Sequence, residues 1–237
     1  MPQRGLAAGH AALASTPRES TIVPAGRGQE WVSVAVGERV ELAVAAAANF
    51  IGAWYLADLV LCDDLIRLFR DSPDKVQGAV YARGGATKVL DPEIKDSVEL
   101  AVSPRSDEPA VRNYLAALQQ VVDRYIAAYP ACNRYSPWSI VEDMPLQHYR
   151  RGGGFKTFHT ERSGAASPGS ARHLVFMTYL NDVRDGGQTE FLQQRLLVPA
   201  RKGLTLIWPA DWTHTHRGIV SESEEKYIIT GWFSFTT

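Results

Sequence analysis

The sequence predicts an α+β fold, mainly β, in which helices precede a core of short strands. Helical periodicity is confined to about residues 57–130. After Pro137, short apolar runs alternate with clusters of Gly, Pro, Asp and Ser, which is typical of a sandwich or a barrel. A chain of 237 residues is long enough for one sizeable domain with an appended arm.

Composition and charge narrow the class of protein. Charged residues make up 22% and the formal net charge is −1, so neither a nucleic acid nor a membrane surface is expected as a partner. Residues 5–15 are too weakly apolar for a secretory signal, and the alanine-rich stretch 42–62 contains Asp58, which is costly in a bilayer. Cys62 and Cys132 lack the spacing of a metal cluster. We therefore expect a soluble, cytoplasmic protein.

The chain is expected to form an arm and a single domain. Residues 1–30 are rich in Ala, Gly, Ser, Pro and Arg and lack the large apolar residues that would offset ordering entropy, so we interpret them as flexible. The domain would cover residues 31–237. It would contain support helices at about residues 57–130 and a strand core at about residues 138–237.

Two helices are predicted in the first part of the domain. Apolar residues recur with helical spacing from about Ala57 and stop before Pro73. A stronger helix runs from about Glu108 to Tyr129, and Pro130 ends it. Residues 71–107, between the helices, show little periodicity and are expected to be loop with one short strand at most.

Five strands are predicted in the core: Ser139–Arg150, His173–Asn181, Thr189–Val198, Leu204–Trp208 and Lys226–Phe235. In the last strand, one face carries the apolar residues Tyr227, Ile229, Phe233 and Phe235. The other face carries Lys226 and Thr230 together with apolar residues. Such a face is either half-solvated or lines a polar cavity, and the strand alone does not distinguish these alternatives.

Histidines and a carboxylate are spaced as metal ligands. His159 and Glu161 follow a glycine-rich turn and are two residues apart, so both side chains point the same way in an extended chain. His214 and His216 follow later, also on a common face. Two imidazoles and one carboxylate suit non-haem iron(II) and oxygen chemistry. The same ligand types would also suit zinc in a hydrolase.

A lysine opens the last strand ten residues after His216. A 2-oxoglutarate molecule chelates iron through its 1-carboxylate and 2-oxo group, which leaves its 5-carboxylate one molecular length away. Lys226 is well placed to pair with that distal carboxylate.

The C-terminal part of the chain resembles the prolyl-4-hydroxylase-like branch of the iron(II)/2-oxoglutarate-dependent oxygenases. The resemblance implies a double-stranded β-helix, the cupin-like jelly roll, preceded by support helices. The matching segments are QHYRRGGGFKTFHTE (147–161), RHLVFMTYLNDVRDGGQTEF (172–191), GLTLIWPADWTHTH (203–216) and KYIITGWFSF (226–235).

The resemblance implies a metal-ligand set of His159, Glu161 and His216. The family more often has aspartate where this sequence has Glu161. The exchange lengthens the ligand arm by one methylene but keeps its charge and ligand type. His214 lies twelve residues from Lys226, where the family spacing is ten, so it is assigned a role beside the ligands or towards the substrate.

The resemblance also implies a cosubstrate site. Lys226 would pair with the 5-carboxylate of 2-oxoglutarate, Tyr149 would donate its hydroxyl to the same group, and Thr230 would add a hydroxyl contact. An ordinary core aromatic is the alternative interpretation of Tyr149.

The implied activity is that of a dioxygenase that hydroxylates an unactivated C–H bond and releases succinate and CO2. Fe(II), 2-oxoglutarate and O2 would be required, with ascorbate as reductant. The substrate would be a peptide or protein, or a small molecule. Two other classes stay open: a cupin-like zinc or manganese hydrolase or isomerase, and a non-catalytic metal-binding sensing module.

Overall fold

The computed structural model describes residues 36–39, 49–81, 88–162 and 168–236. The expected arm, residues 1–30, lies outside the described residues. The α-helices are α1 (Val60–Asp71) and α2 (Pro109–Ala128). The strands are β1 (Val36–Arg39), β2 (Gly52–Leu56), β3 (Val76–Gln77), β4 (Val80–Tyr81), β5 (Lys88–Val89), β6 (Lys95–Asp96), β7 (Val98–Val102), β8 (Trp138–Ile140), β9 (Met144–Tyr149), β10 (Gly154–Phe155), β11 (Arg172–Tyr179), β12 (Thr189–Phe191), β13 (Leu196–Val198), β14 (Leu204–Pro209), β15 (His216–Gly218) and β16 (Lys226–Phe235).

Both predicted helices are present and bury the faces that their periodicity indicated. In α1 the buried residues are Leu61, Cys62, Leu65 and Phe69. In α2, Pro109 lies in the first turn, where its missing N–H costs no helical hydrogen bond. The Tyr114 hydroxyl of α2 is hydrogen-bonded to Thr178 of β11 at 2.9 Å, which ties the helix to the sheet. No helix of the described residues is long and apolar enough to span a bilayer.

A large antiparallel sheet has the strand order β1-β2-β14-β11-β16-β9-β7-β3, and β8 also pairs with β16. A smaller sheet has the order β13-β12-β15, and the pairs β10-β6 and β4-β5 are separate. In the described part of the chain the fold is therefore mainly β with two α-helices, as predicted. The register of β16 against β9 places Lys226 directly opposite Tyr149, so these two predicted cosubstrate residues are neighbours.

The expectation of loop between the helices was wrong. Residues 71–107 contain β3 to β7, and β7 pairs with β9 along its whole length. Apolar residues do alternate in β7, at Val98, Leu100 and Val102, but the strand is only five residues long. Its conformation is set by pairing with a strand that lies more than 40 residues later, which local patterning does not report.

Two apolar clusters lie on opposite faces of the large sheet. One includes residues of both helices together with Tyr227, Ile229 and Phe233 of β16. The other includes Ile228, with Trp232 packed against it. The alternation predicted for β16 is therefore confirmed. Its second face lines a polar cavity, because Lys226 and Thr230 border the same cavity as Trp232.

Candidate active site

The two histidines of the expected ligand set meet at one backbone bridge. His159 N donates to His216 O at 2.9 Å, and His216 N donates to His159 O at 3.0 Å. His216 begins β15, and Glu161 follows His159 by two residues. One ligand atom from each of the three side chains lies within 4.8 Å of the others. The local HxE spacing and the bridge together bring these side chains to one point.

Hydrogen bonds to the other ring nitrogen orient both imidazoles. His159 Nδ1 lies 3.0 Å from Thr157 O, and His216 Nδ1 lies 2.9 Å from His214 O. A carbonyl oxygen can only accept, so each Nδ1 carries the proton and each Nε2 presents its lone pair. The two Nε2 atoms lie 3.4 and 3.6 Å from Glu161 Oε1. Three acceptor atoms thus converge, and a cation completes such an arrangement.

The electrostatics of the three residues fit a divalent metal. Burial and the neighbouring His216 ring lower the pKa of His159, which keeps its imidazole neutral. Burial acts to raise the pKa of Glu161, but the two imidazoles outweigh it and hold that pKa well below its usual range. Neutral imidazoles and an ionised carboxylate are the protonation states that metal binding requires.

A cavity of about 600 Å³ connects this cluster to a buried lysine. Lys226 is only 5% exposed, and its ammonium donates to Gly187 O at 3.2 Å. The ammonium lies 4.9 Å from the centre of the Tyr149 ring. Among the described residues, no carboxylate forms an ion pair with Lys226. Burial lowers the pKa of Lys226 from 10.5 to about 8.

Comparison with known proteins agrees with this geometry. Residues 144–234 match the family described as the 2OG-Fe(II) oxygenase superfamily. This segment is a 2OG-Fe(II) oxygenase domain. The protein therefore contains a 2-oxoglutarate-dependent oxygenase domain, an activity that requires Fe(II), 2-oxoglutarate and O2. No curated protein matches the sequence significantly.

Solved structures show the same jelly-roll fold. A prolyl hydroxylase of Trichoplax adhaerens, in complex with a hypoxia inducible factor peptide fragment, has a TM-score of 0.62 at 15% identity over 79% of this chain and 84% of its own. A viral collagen prolyl hydroxylase of Paramecium Bursaria Chlorella virus-1 has a TM-score of 0.58 at 15% identity, and the match covers 80% of this chain and 98% of its own. A Pseudomonas putida prolyl-4-hydroxylase has a TM-score of 0.56 at 19% identity, and the match covers 79% of this chain and 93% of its own.

The second carboxylate oxygen of Glu161, Oε2, is bound by other side chains of the protein. Trp232 Nε1 donates to Glu161 Oε2 at 2.8 Å. Arg172 donates to the Glu161 carbonyl at 3.0 Å, and its guanidinium lies 3.5 Å from the Trp232 ring centre. Arg172 is itself fixed by a two-pronged ion pair with Glu142, at 2.9 and 2.6 Å. Oε1 therefore faces the imidazoles while Oε2 is engaged elsewhere.

Both hydroxyls expected at the cosubstrate end already donate to protein acceptors. Tyr149 lies beside Lys226, as expected, but its hydroxyl donates to Gln147 Oε1 at 2.6 Å. Thr230 lines the cavity, and its hydroxyl donates to Phe176 O at 2.8 Å. Each hydroxyl oxygen keeps a lone pair for a ligand, but its single proton is used.

His214 does not point towards the ligand cluster. It lies in a short 3-10 turn, Trp212–His214, so it does not share a face with His216. Its Nε2 is 2.8 Å from Asn49 O and its Nδ1 is 3.0 Å from the Thr213 hydroxyl. Both ring nitrogens are thus engaged in fixing the turn before His216.

Sequence reasoning missed a charged pair in the cavity wall. Lys95 Nζ lies 2.6 Å from Glu99 Oε1, and both residues line the cavity. They belong to β6 and β7, which were expected to be loop. The contribution of Trp232 was visible in part, because it shares a strand face with Lys226.

Proposed function

We propose that this oxygenase hydroxylates an unactivated C–H bond of a peptidyl residue and releases succinate and CO2. The observation that carries the proposal is Lys226, a buried ammonium without a carboxylate partner among the described residues, in the same cavity as His159, Glu161 and His216. A buried charge is costly unless a ligand or another charge compensates it. A dicarboxylate held at both ends of the cavity supplies that compensation.

In this proposal, His159, Glu161 and His216 would hold Fe(II). The bound metal would supply the oxidising chemistry, in which 2-oxoglutarate is decarboxylated while the substrate is hydroxylated.

The surrounding residues orient the ligands and exclude water. Trp232 and Arg172 keep Glu161 Oε2 directed away from the two imidazoles, which favours coordination through Oε1 alone. Lys226 pairs with the 5-carboxylate, which fixes the direction of the cosubstrate. The apolar side chains of Met177, Trp208 and Ile228 line the cavity and lower its dielectric, which strengthens that ion pair.

A peptide substrate is supported by the structural neighbours. One is described as a complex with a peptide fragment and another as a collagen prolyl hydroxylase. Away from the metal ligands, the cavity is bordered by Val76 of β3, by Ala79 and by Val80 of β4. Proline is the first residue to test.

The test is succinate release by the full-length protein with Fe(II), ascorbate and O2. A prolyl peptide and a matched alanyl peptide are compared, and mass spectrometry detects the added oxygen atom. If succinate is released and oxygen is transferred to a small molecule but to no peptide, the substrate is a small molecule and the peptidyl assignment is wrong. Hydrolysis by the zinc-loaded protein without any response to 2-oxoglutarate would contradict the proposed chemistry.

A further inference from the structure

The ring of Phe155 covers one face of the His159 imidazole. The two ring centres are 3.6 Å apart, and the ring planes differ by only 7°. Phe155 lies in β10, which pairs with β6, and it borders the same cavity as His159. The Nε2 edge of the imidazole faces Glu161 Oε1 at 3.4 Å. A metal bound at Nε2 would lie in the plane of the imidazole, so it would leave the stack on the ring face intact.

This stacking geometry is not the one that two neutral rings prefer. Neutral aromatic pairs favour offset or edge-to-face arrangements with centres about 4.5–7 Å apart, because their electron-rich faces repel each other. Parallel rings in van der Waals contact are separated by roughly 3.5 Å, so ring centres 3.6 Å apart overlap almost completely. Such overlap becomes favourable when one ring carries positive charge, since the face of an aromatic ring attracts a cation. The geometry therefore fits an imidazole that donates its lone pair to a cation better than a free imidazole.

The charge that Phe155 would stabilise can be located. Lys95 Nζ lies 5.2 Å from the centre of the Phe155 ring, but its charge is already paired with Glu99 at 2.6 Å. Nδ1 of His159 donates to Thr157 O at 3.0 Å, so positive charge can reach this imidazole only through Nε2. A metal adds its charge at that atom.

We propose that Phe155 is a positioning residue that raises the metal affinity of the site through the π face that it presents to His159. This role rests on the proposed function, since it needs His159 as a metal ligand. Phe155 contacts the face of the imidazole, so it acts through His159 and not on the metal directly. Without metal it holds the plane of the imidazole, and with metal it stabilises the charge that the imidazole receives.

Fluorination of the Phe155 ring tests this role, because fluorine withdraws electron density from the π face and changes the shape of the ring little. Full-length proteins with mono-, di- or trifluorinated phenylalanine at position 155 are titrated with Mn(II), and electron paramagnetic resonance of the free ion gives Kd. The Kd should rise with each added fluorine, to about tenfold above the parent for the trifluorinated ring. Phe155→Leu, which has no π face, should raise Kd at least as much.

Phe158 provides the matched control. It directly precedes His159, but its ring packs against the Arg217 guanidinium, 4.5 Å from the ring centre. Among the ring contacts of the described residues, none joins Phe158 to His159. Trifluorinated phenylalanine at position 158, and Phe158→Leu, should leave the Kd of Mn(II) within about twofold of the parent. Thermal unfolding of the metal-free proteins checks that each one is folded.

Equal Mn(II) affinity in the parent and in the protein trifluorinated at Phe155 would overturn the proposal, and so would equal losses at positions 155 and 158. His159→Ala separates this result from the proposed function. If the parent binds Mn(II) and His159→Ala abolishes binding, His159 is a ligand whether or not the Phe155 ring contributes. If His159→Ala binds Mn(II) as tightly as the parent, the ligand assignment and the role of Phe155 are both wrong.

Discussion

The cavity has a metal end and a cosubstrate end, and the residues of the two ends are brought together in different ways. At the metal end, His159 and Glu161 are neighbours in the chain, and one backbone bridge adds His216. At the cosubstrate end, sheet register brings Lys226 of β16 opposite Tyr149 of β9, and β9 in turn pairs with β7. Their charges also differ, since the metal end contains an ionised carboxylate and the cosubstrate end a buried ammonium. A local motif therefore identifies the first end, whereas the second depends on long-range pairing.

The largest expected effect is at the metal end. Replacing His159, Glu161 or His216 with alanine should abolish 2-oxoglutarate turnover, because each removes a proposed ligand. The fold should survive, since the two apolar clusters do not depend on these side chains. Anaerobic Fe(II) titration, succinate release and thermal unfolding measure metal binding, turnover and folding separately.

His214→Ala is the matched control for the ligand variants. It should retain iron, although the loss of hydrogen bonds to Asn49 and Thr213 costs on the order of 1–3 kcal/mol of stability. Loss of metal from His214→Ala, together with its retention in His216→Ala, would reverse the ligand assignment.

The next largest effect is expected for a substitution of Lys226, which should change the affinity for 2-oxoglutarate and the stability of the ligand-free protein in opposite directions. Lys226→Met should weaken 2-oxoglutarate binding by about 3–5 kcal/mol, because it removes one partner of a buried charge pair. The same change should stabilise the ligand-free protein. The folded-state pKa of about 8 lies below the ordinary 10.5, so holding the ammonium buried below pH 8 costs about 3 kcal/mol.

This stability cost has a defined pH window. The unfolded chain binds more protons at Lys226 between pH 8 and pH 10.5, so parental stability should rise with pH across that interval. The gain in Tm of Lys226→Met should therefore be full at pH 7 and shrink above pH 8. A lower Tm for Lys226→Met at pH 7 would contradict the assignment of an uncompensated buried ammonium.

The contrast between the ends also explains what the sequence could predict. The faces of β16 alternate with a period of two, so Lys226, Thr230 and Trp232 were assignable to one side. Glu99 and Lys95 were not assignable, because their strands are only five and two residues long and are held by pairing with distant segments.

The His214 interpretation shows the same limitation at the metal end. Spacing of two residues placed His214 and His216 on one face, which holds only in an extended chain. The 3-10 turn at Trp212–His214 changes the direction of the side chain. The choice of His216 over His214 came instead from the ten-residue spacing to Lys226 that the family resemblance implies.

A smaller but still large loss is expected from shortening the carboxylate ligand. Glu161→Asp keeps the charge and withdraws the carboxylate by one methylene. The shorter arm cannot keep Oε2 on Trp232 while Oε1 faces both imidazoles, so the metal or the chain must shift. A displacement near 1 Å costs on the order of 100-fold in rate. The affinity for 2-oxoglutarate should change less, because Lys226 is untouched.

Glu161→Ala removes the carboxylate altogether, so the loss of activity should be larger than in Glu161→Asp. It should leave little or no hydroxylation, measured as succinate release together with oxygen transfer. If Glu161→Ala hydroxylates as well as the parent, the carboxylate ligand must lie elsewhere. Glu190 is a poor substitute, since its carboxylate is paired with Arg217 at 2.7 Å.

The smallest expected effect is a pH dependence confined to the cosubstrate end. The 5-carboxylate needs a protonated Lys226, and the pKa of about 8 means that the ligand-free protein loses that proton as the pH rises through 8. Burial raises the pKa of the adjacent Tyr149 well above 10, so Tyr149 stays neutral over the same range. Binding of 2-oxoglutarate should therefore weaken about tenfold between pH 7 and pH 9, as each bound molecule takes up a proton. Lys226→Arg provides the control, because guanidinium keeps its charge and should make the affinity independent of pH in this interval. Calorimetric titrations at several pH values measure both proteins, and an equal decline in both would assign the effect to the metal end instead.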